Sequence, residues 1–99
     1  MVRFQRSARI AGGKGPEGIQ WAKEVAEYIN NKYQTQIGVH VELFGDVGTV
    51  YWITDYEDLA AVDRVNKQLQ SDEGFQGMVK KAPDLFIEGS VKDVLMESV

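Results

Sequence analysis

Between residues 39 and 58 two alternating runs meet at Gly45-Asp46-Val47-Gly48, and the second runs straight into a helix start. No other stretch restricts the fold as much. Residues 37–44 place Val39, Val41 and Leu43 on one side and His40, Glu42 and Phe44 on the other, and residues 49–54 alternate again. A period of two with one apolar face suits antiparallel strands covered on one side only. With residues 45–48 as a four-residue loop, Leu43 is expected opposite Val50 and Val41 opposite Trp52. Glu42 then faces Tyr51, and His40 faces Ile53.

The N-terminal residues 2–11 show the same period, with Val2, Phe4, Ala8 and Ile10 on one side and Arg3, Gln5, Ser7 and Arg9 on the other. Arg6 alone breaks the pattern. Residues 16–31 change to a helical period, with Ile19, Ala22, Val25, Ala26 and Ile29 on one face, Trp21 and Tyr28 widening it, and Asn30-Asn31-Lys32 as the stop. Pro16 suits the first helical turn, and Glu17 suits the positive end of the helix dipole.

A second helix is expected after the hairpin. Thr54 and Glu57 have the spacing of a capping box, with Asp55 or Asp58 able to serve the same free amides. Leu59, Val62, Val65 and Leu69 continue at helical spacing. Ser71-Asp72-Glu73 predicts a further, shorter helix with Phe75, Met78, Val79 and Ala82 inward, stopped by Pro83. Leu85-Phe86-Ile87 is a short apolar run, and residues 91–98 form a poorly alternating last strand suited to a sheet edge.

The order β-α-β-β-α-(α)-β predicts an α+β, ferredoxin-like subunit: a four-stranded antiparallel sheet with two main helices and a short extra one on one face. At 99 residues and 43% hydrophobic content, one domain spanning residues 1–99 is expected. A net charge of -4 lacks the basic footprint of a nucleic-acid binder, so no nucleic-acid partner is expected. With no cysteine and a single histidine, no disulfide or thiolate chemistry is available and no metal site is expected. Residues 1–6 lack the apolar run of a signal peptide, so none is expected, and no apolar run reaches membrane-spanning length. These features predict a soluble cytoplasmic protein with no membrane partner.

Gly13, Gly15 and Gly18 have the G-x-G-x-x-G spacing between a strand and a helix. A dinucleotide site also needs a parallel βαβ unit and a strand buried on both faces, which the half-polar first strand does not provide. A Walker loop fails as well, because Lys14 is followed by Gly15 and not by Ser or Thr. No cofactor is assigned.

The open sheet face would carry Arg3, Gln5, Ser7 and Arg9 with His40, Glu42, Phe44, Tyr51 and Ile53. That mixture suits a pocket or a homodimer interface. The candidate catalytic set is His40, Glu42 and Tyr51, a base, an acid and a phenol that could converge on one face. Arg3, Arg9, Phe44 and Ile53 are the candidate ligand contacts, with an arginine holding an anionic small molecule. The competing reading pairs Glu42 with Arg9 or Arg3 as a structural ion pair.

The run from Val50 to Ala61, followed by Ser71-Asp72-Glu73-Gly74-Phe75 and Ala82-Pro83-Asp84-Leu85-Phe86, resembles NIPSNAP-like members of the dimeric α/β-barrel superfamily. The resemblance implies two ferredoxin-like subunits packing their open sheet faces into a barrel, often with a cavity there. Monooxygenases, isomerases and haem-degrading enzymes share that arrangement. The matching residues are cap and core, and no catalytic residue carries over.

Overall fold

The computed structural model describes residues 1–99, and the alternating N-terminal segment forms β1 (Val2–Arg9). The remaining elements are α1 (Gly15–Tyr33), β2 (Gly38–Val41), β3 (Thr49–Tyr56), α2 (Leu59–Gln70), α3 (Glu73–Val79), α4 (Ala82–Leu85) and β4 (Lys92–Glu97). The sheet order is β2-β3-β1-β4, with every neighbouring pair antiparallel. This is the ferredoxin-like fold. β1 and β3 lie at its centre because each alternates over eight residues and can pair on both sides.

The helix-facing side of the sheet buries Val2, Ala8, Val50 and Thr54. Against it α1 packs Gly18, Ala22, Val25, Ala26 and Ile29, while α2 packs Ala61, Val62 and Val65. Small residues let the layers approach closely. At Gly18 an added Cβ would stand 3.0 Å from the Ile10 side chain, so the last glycine of the G-x-G-x-x-G spacing serves helix–strand packing. Trp21, Trp52 and Phe86 close the core, Trp21 edge to face with the other two rings and its centre 5.4 Å from that of Phe86. Each indole N–H donates to a carbonyl, Trp21 to Met78 at 3.0 Å and Trp52 to Ala22 at 3.1 Å.

Asp72 ties the helices together. Its carboxylate is fully buried and accepts from the Tyr28 hydroxyl at 2.7 Å, the Tyr33 hydroxyl at 2.5 Å and the Phe75 amide at 3.0 Å, with Lys32 Nζ also at 3.0 Å. It caps α3 and pins that helix to α1. A buried carboxylate with this many donors stays charged, and its pKa lies well below the ordinary carboxylate range.

Several expected boundaries move. α1 continues past Asn30 to Tyr33 because the Asn30 side chain bonds forward, accepting from the Ile37 amide at 2.8 Å, and the chain turns only at left-handed Gln34. β2 stops at Val41, leaving Glu42 and Phe44 outside the strand. The hairpin pairs two residues off the expected register: His40 faces Tyr51, Val41 faces Val50 and Val39 faces Trp52. The face assignment survives because a two-residue slip keeps side-chain parity. The slip arises because residues 42–48 form a longer loop, in which the Glu42 carboxylate accepts from the Asp46 amide and the Tyr51 hydroxyl. Leu43, expected in the apolar face, is 74% exposed as a result.

Nor does Thr54 cap the second helix. Thr54 stays in β3, paired with Phe4, and Asp58 is the cap, accepting from the Ala61 amide at 2.9 Å. Leu59 therefore falls in the first turn and remains 57% exposed. Pro83 does not end the short helix but sits in the first turn of α4, where its missing N–H costs nothing.

Candidate functional site

Two recesses flank the sheet. The first lies between the sheet and the helices, a pocket of about 100 Å³ with walls mostly of apolar side chains from Phe4, Val25, Ile29, Trp52, Val65, Leu69 and Phe75. An apolar cavity of roughly this size accommodates a single small ring. Four polar side chains interrupt the wall: Arg6, Thr54, Tyr56 and Asn66.

The pleat accounts for three of them. Arg6 lies two residues from Phe4 on β1, while Thr54 and Tyr56 follow Trp52 at period two on β3, so all face the helices. Asn66 comes from α2. Thr54, Tyr56 and Asn66 make no side-chain hydrogen bond to protein, yet Thr54 is nearly buried. Burial raises the Tyr56 pKa, so its phenol remains a protonated donor at neutral pH.

Arg6 is held in place. Its Nε and Nη2 donate to the two Asp93 carboxylate oxygens at 2.7 and 2.9 Å, keeping the Asp93 pKa below the ordinary range, and the guanidinium lies 5.8 Å from the Phe4 ring centre. The other guanidinium nitrogen keeps its donors free. The pocket is thus apolar, with spare hydrogen-bonding groups fixed in its wall, the usual composition of a small-molecule site.

The second recess, about 300 Å³, lies on the open sheet face. Gln5, Ser7 and Arg9 line it from β1, Thr49 and Tyr51 from β3, and Lys92 and Val94 from β4.

The candidates from sequence are distributed unevenly. Tyr51 and Glu42 are in contact, the phenol donating to the carboxylate, which lowers the Glu42 pKa and raises that of Tyr51. His40 faces Tyr51 across the ladder but bonds to neither, and its ring lies over Gly38. Arg3 is engaged bidentately by Asp55 at 2.9 and 3.1 Å, whereas Arg9 lines the second recess. Ile53 lies on the open face opposite Gln5, and Phe44 stands apart in the loop, 89% exposed. Glu42 pairs with neither arginine, and no group of three His, Asp or Glu side chains is placed to hold a metal ion.

Sequence reasoning missed the interlayer pocket, although one signal was present. Arg6 is the single charged residue in the apolar stripe of the first strand, and it lines the pocket. Thr54 was read at the end of the second hairpin strand and as a helix cap, which left its place in the pocket wall unseen.

Comparison with known proteins agrees with the fold. The NIPSNAP family description matches residues 6–98. A NIPSNAP domain protein from Burkholderia xenovorans is 19% identical with a TM-score of 0.84, over 100% of this chain and 95% of that one. A NIPSNAP family protein from Agrobacterium tumefaciens is 20% identical with a TM-score of 0.83, over 99% and 92%. A structure described as an antibiotic biosynthesis monooxygenase shares the fold at 18% identity and a TM-score of 0.75, over 100% and 99%. A search of curated proteins finds no match. With nearly its whole length matched, the chain belongs to the NIPSNAP family.

Proposed function

We propose that this protein binds a small, largely apolar organic molecule carrying one or two polar substituents, in the pocket between the sheet and the helices. One observation carries the reading: Thr54, Tyr56 and Asn66 line an apolar pocket without protein partners, beside an Arg6 guanidinium that has donors to spare. No side-chain polar atom is both fully buried and unpartnered, so these groups reach the open space of the pocket, Asn66 from an exposed position and Tyr56 from a half-buried one, where they can meet a ligand oxygen. Arg6 and Tyr56 are both donors, which suits a carbonyl or phenolic oxygen.

In this proposal the protein works as a cytoplasmic homodimer joined through the open sheet face. Ile53, Val94 and Met96 give that face apolar area between its polar residues, and the absence of cysteine suits a reducing compartment. No helix is long and apolar enough to cross a membrane.

Trp52 lines the pocket and reports on it. Titration with phenol and cyclohexanone is expected to change tryptophan fluorescence saturably and to raise the melting temperature. Tyr56→Phe and Thr54→Val remove one polar atom each and are expected to weaken phenol binding by about fivefold or more. Failure of both compounds to bind, or unchanged affinity in both variants, would overturn the reading. Sedimentation should show a species of twice the chain mass, reduced to a monomer by Ile53→Arg.

A further inference from the structure

The open-face recess differs in chemistry from the interlayer pocket. The antiparallel register places Ser7 between Tyr51 on β3 and Lys92 on β4, with Gln5 and Arg9 two residues away on either side. At about 300 Å³ the recess reaches the lower size limit of ligand pockets, and only two of its nine lining residues are apolar.

Its charge is unbalanced. Lys92 has no acidic partner, and Arg9 lies 3.8 Å from Asp46, with both side chains about half exposed or more. A pair that long and that wet contributes little and leaves the guanidinium available. Arg3 is different, because Asp55 occupies its donors from the neighbouring position on the ladder. Glu42 is committed to the Tyr51 hydroxyl and the Asp46 amide, and His40 stands on the outer side of Tyr51. In a chain of net charge -4, two cations therefore line this recess with one loosely placed carboxylate, Asp46. The Glu42 carboxylate stands near enough to attract Arg9 but accepts its hydrogen bonds from Tyr51 and Asp46.

Neutral groups complete the set. The Ser7 and Thr49 hydroxyls and the Gln5 carboxamide make no side-chain hydrogen bond to protein. Ser90 does: its hydroxyl donates to the Ile87 carbonyl at 2.6 Å and accepts from the Arg9 amide at 3.1 Å, which fixes the end of β1 beside the recess. Two cations, two free hydroxyls and a free carboxamide on one rigid sheet provide for a charged group and for hydroxyls attached to it.

We propose that this recess binds a small hydroxylated anion, a hydroxy-carboxylate or the phosphate ester of a polyol, with Arg9 and Lys92 meeting the charge and Ser7, Thr49 and Gln5 meeting the hydroxyls. The site is separate from the interlayer pocket. Within a homodimer closed through this face, it would line the enclosed space between the two copies.

Calorimetric titration of the full chain with malate, succinate and glycerol 3-phosphate tests it. Malate or glycerol 3-phosphate is expected to bind, whichever is the better fit identifying the anion, and malate should bind more tightly than succinate, which lacks the hydroxyl. The double variant Arg9→Gln, Lys92→Gln should lose about tenfold or more in affinity, while Arg3→Gln stays within about twofold of wild type. Ser7→Ala should narrow the difference between malate and succinate. Absence of binding by all three anions, retained affinity in the double variant, or an equal loss in Arg3→Gln would each overturn the proposal. Phenol binding read by tryptophan fluorescence is measured in the same double variant, where it should be unchanged, so failure of one site is distinguishable from failure of the other.

Discussion

The Arg6 guanidinium grips the Asp93 carboxylate through two parallel hydrogen bonds of 2.7 and 2.9 Å, joining the first strand to the last across 87 residues of sequence. Bidentate geometry makes this pair more directional than an ordinary surface bridge. Asp93→Ala should therefore loosen the β4 edge before the rest of the fold. Amide exchange in residues 92–97 is expected to accelerate while exchange in β3 stays slow. Equal acceleration in both strands would contradict this role.

Asp72 gives the fold a defined acid limit. Its folded pKa is depressed by the Tyr33 hydroxyl, the Phe75 amide, the Tyr28 hydroxyl and Lys32. A depressed carboxylate stabilises the fold above its unfolded pKa of about 3.9, and that contribution disappears as pH falls through the folded value. Tyr33 is raised mainly by its bond to Asp72, and Lys32 by bonds to Asp72 and Tyr28. Their contributions are present at neutral pH and fade as pH rises above about 10. Melting temperature should therefore be flat near neutrality and fall at both extremes. Asp72→Asn should lower the plateau and flatten the acid limb, and an unchanged acid limb would count against the assignment.

Gly18 marks the closest approach of α1 to the end of the first strand. Gly18→Ala adds a methyl group 3.0 Å from Ile10, and overpacking of this kind costs roughly 1–3 kcal/mol. Ile10→Val in the same chain should recover part of the loss by shortening the opposing side chain. A double-mutant cycle in urea measures it, and strict additivity would show that the two residues do not press on one another.

Phe86 is 8% exposed and packs against both Trp21 and Trp52. Phe86→Ala is expected to cost about 3–5 kcal/mol. The loss should appear as a lower urea midpoint, together with a red shift of tryptophan emission. An unchanged midpoint would mean that the aromatic cluster is not part of the cooperative core.

Alternation and helical periodicity are local properties, and they were sufficient for the order of the strands and main helices, for the helix-facing side of the first three strands and for the antiparallel sheet. Face assignment withstood even the two-residue slip in the hairpin, because His40 and Glu42 share the same parity. Boundaries proved less legible where side chains act over a distance. Thr54 has a local capping pattern with Glu57, but pairing with Phe4 keeps it in the strand, and Asn30 looks like a stop until its side chain reaches Ile37.

The site was the least legible part. Arg6 showed as an exception in an apolar stripe, yet its meaning depends on Asp93, brought beside it only when β4 joins β1. Asp72 reads as a helix cap, and only the packing of α1 supplies the two phenols and the ammonium that hold it charged in the core. Sequence by itself determined which residues share a face within a strand or helix, because that depends on the local period of the backbone. Tertiary structure decided which polar groups have partners and which face a pocket unpaired, because each pairing joins side chains from distant parts of the chain.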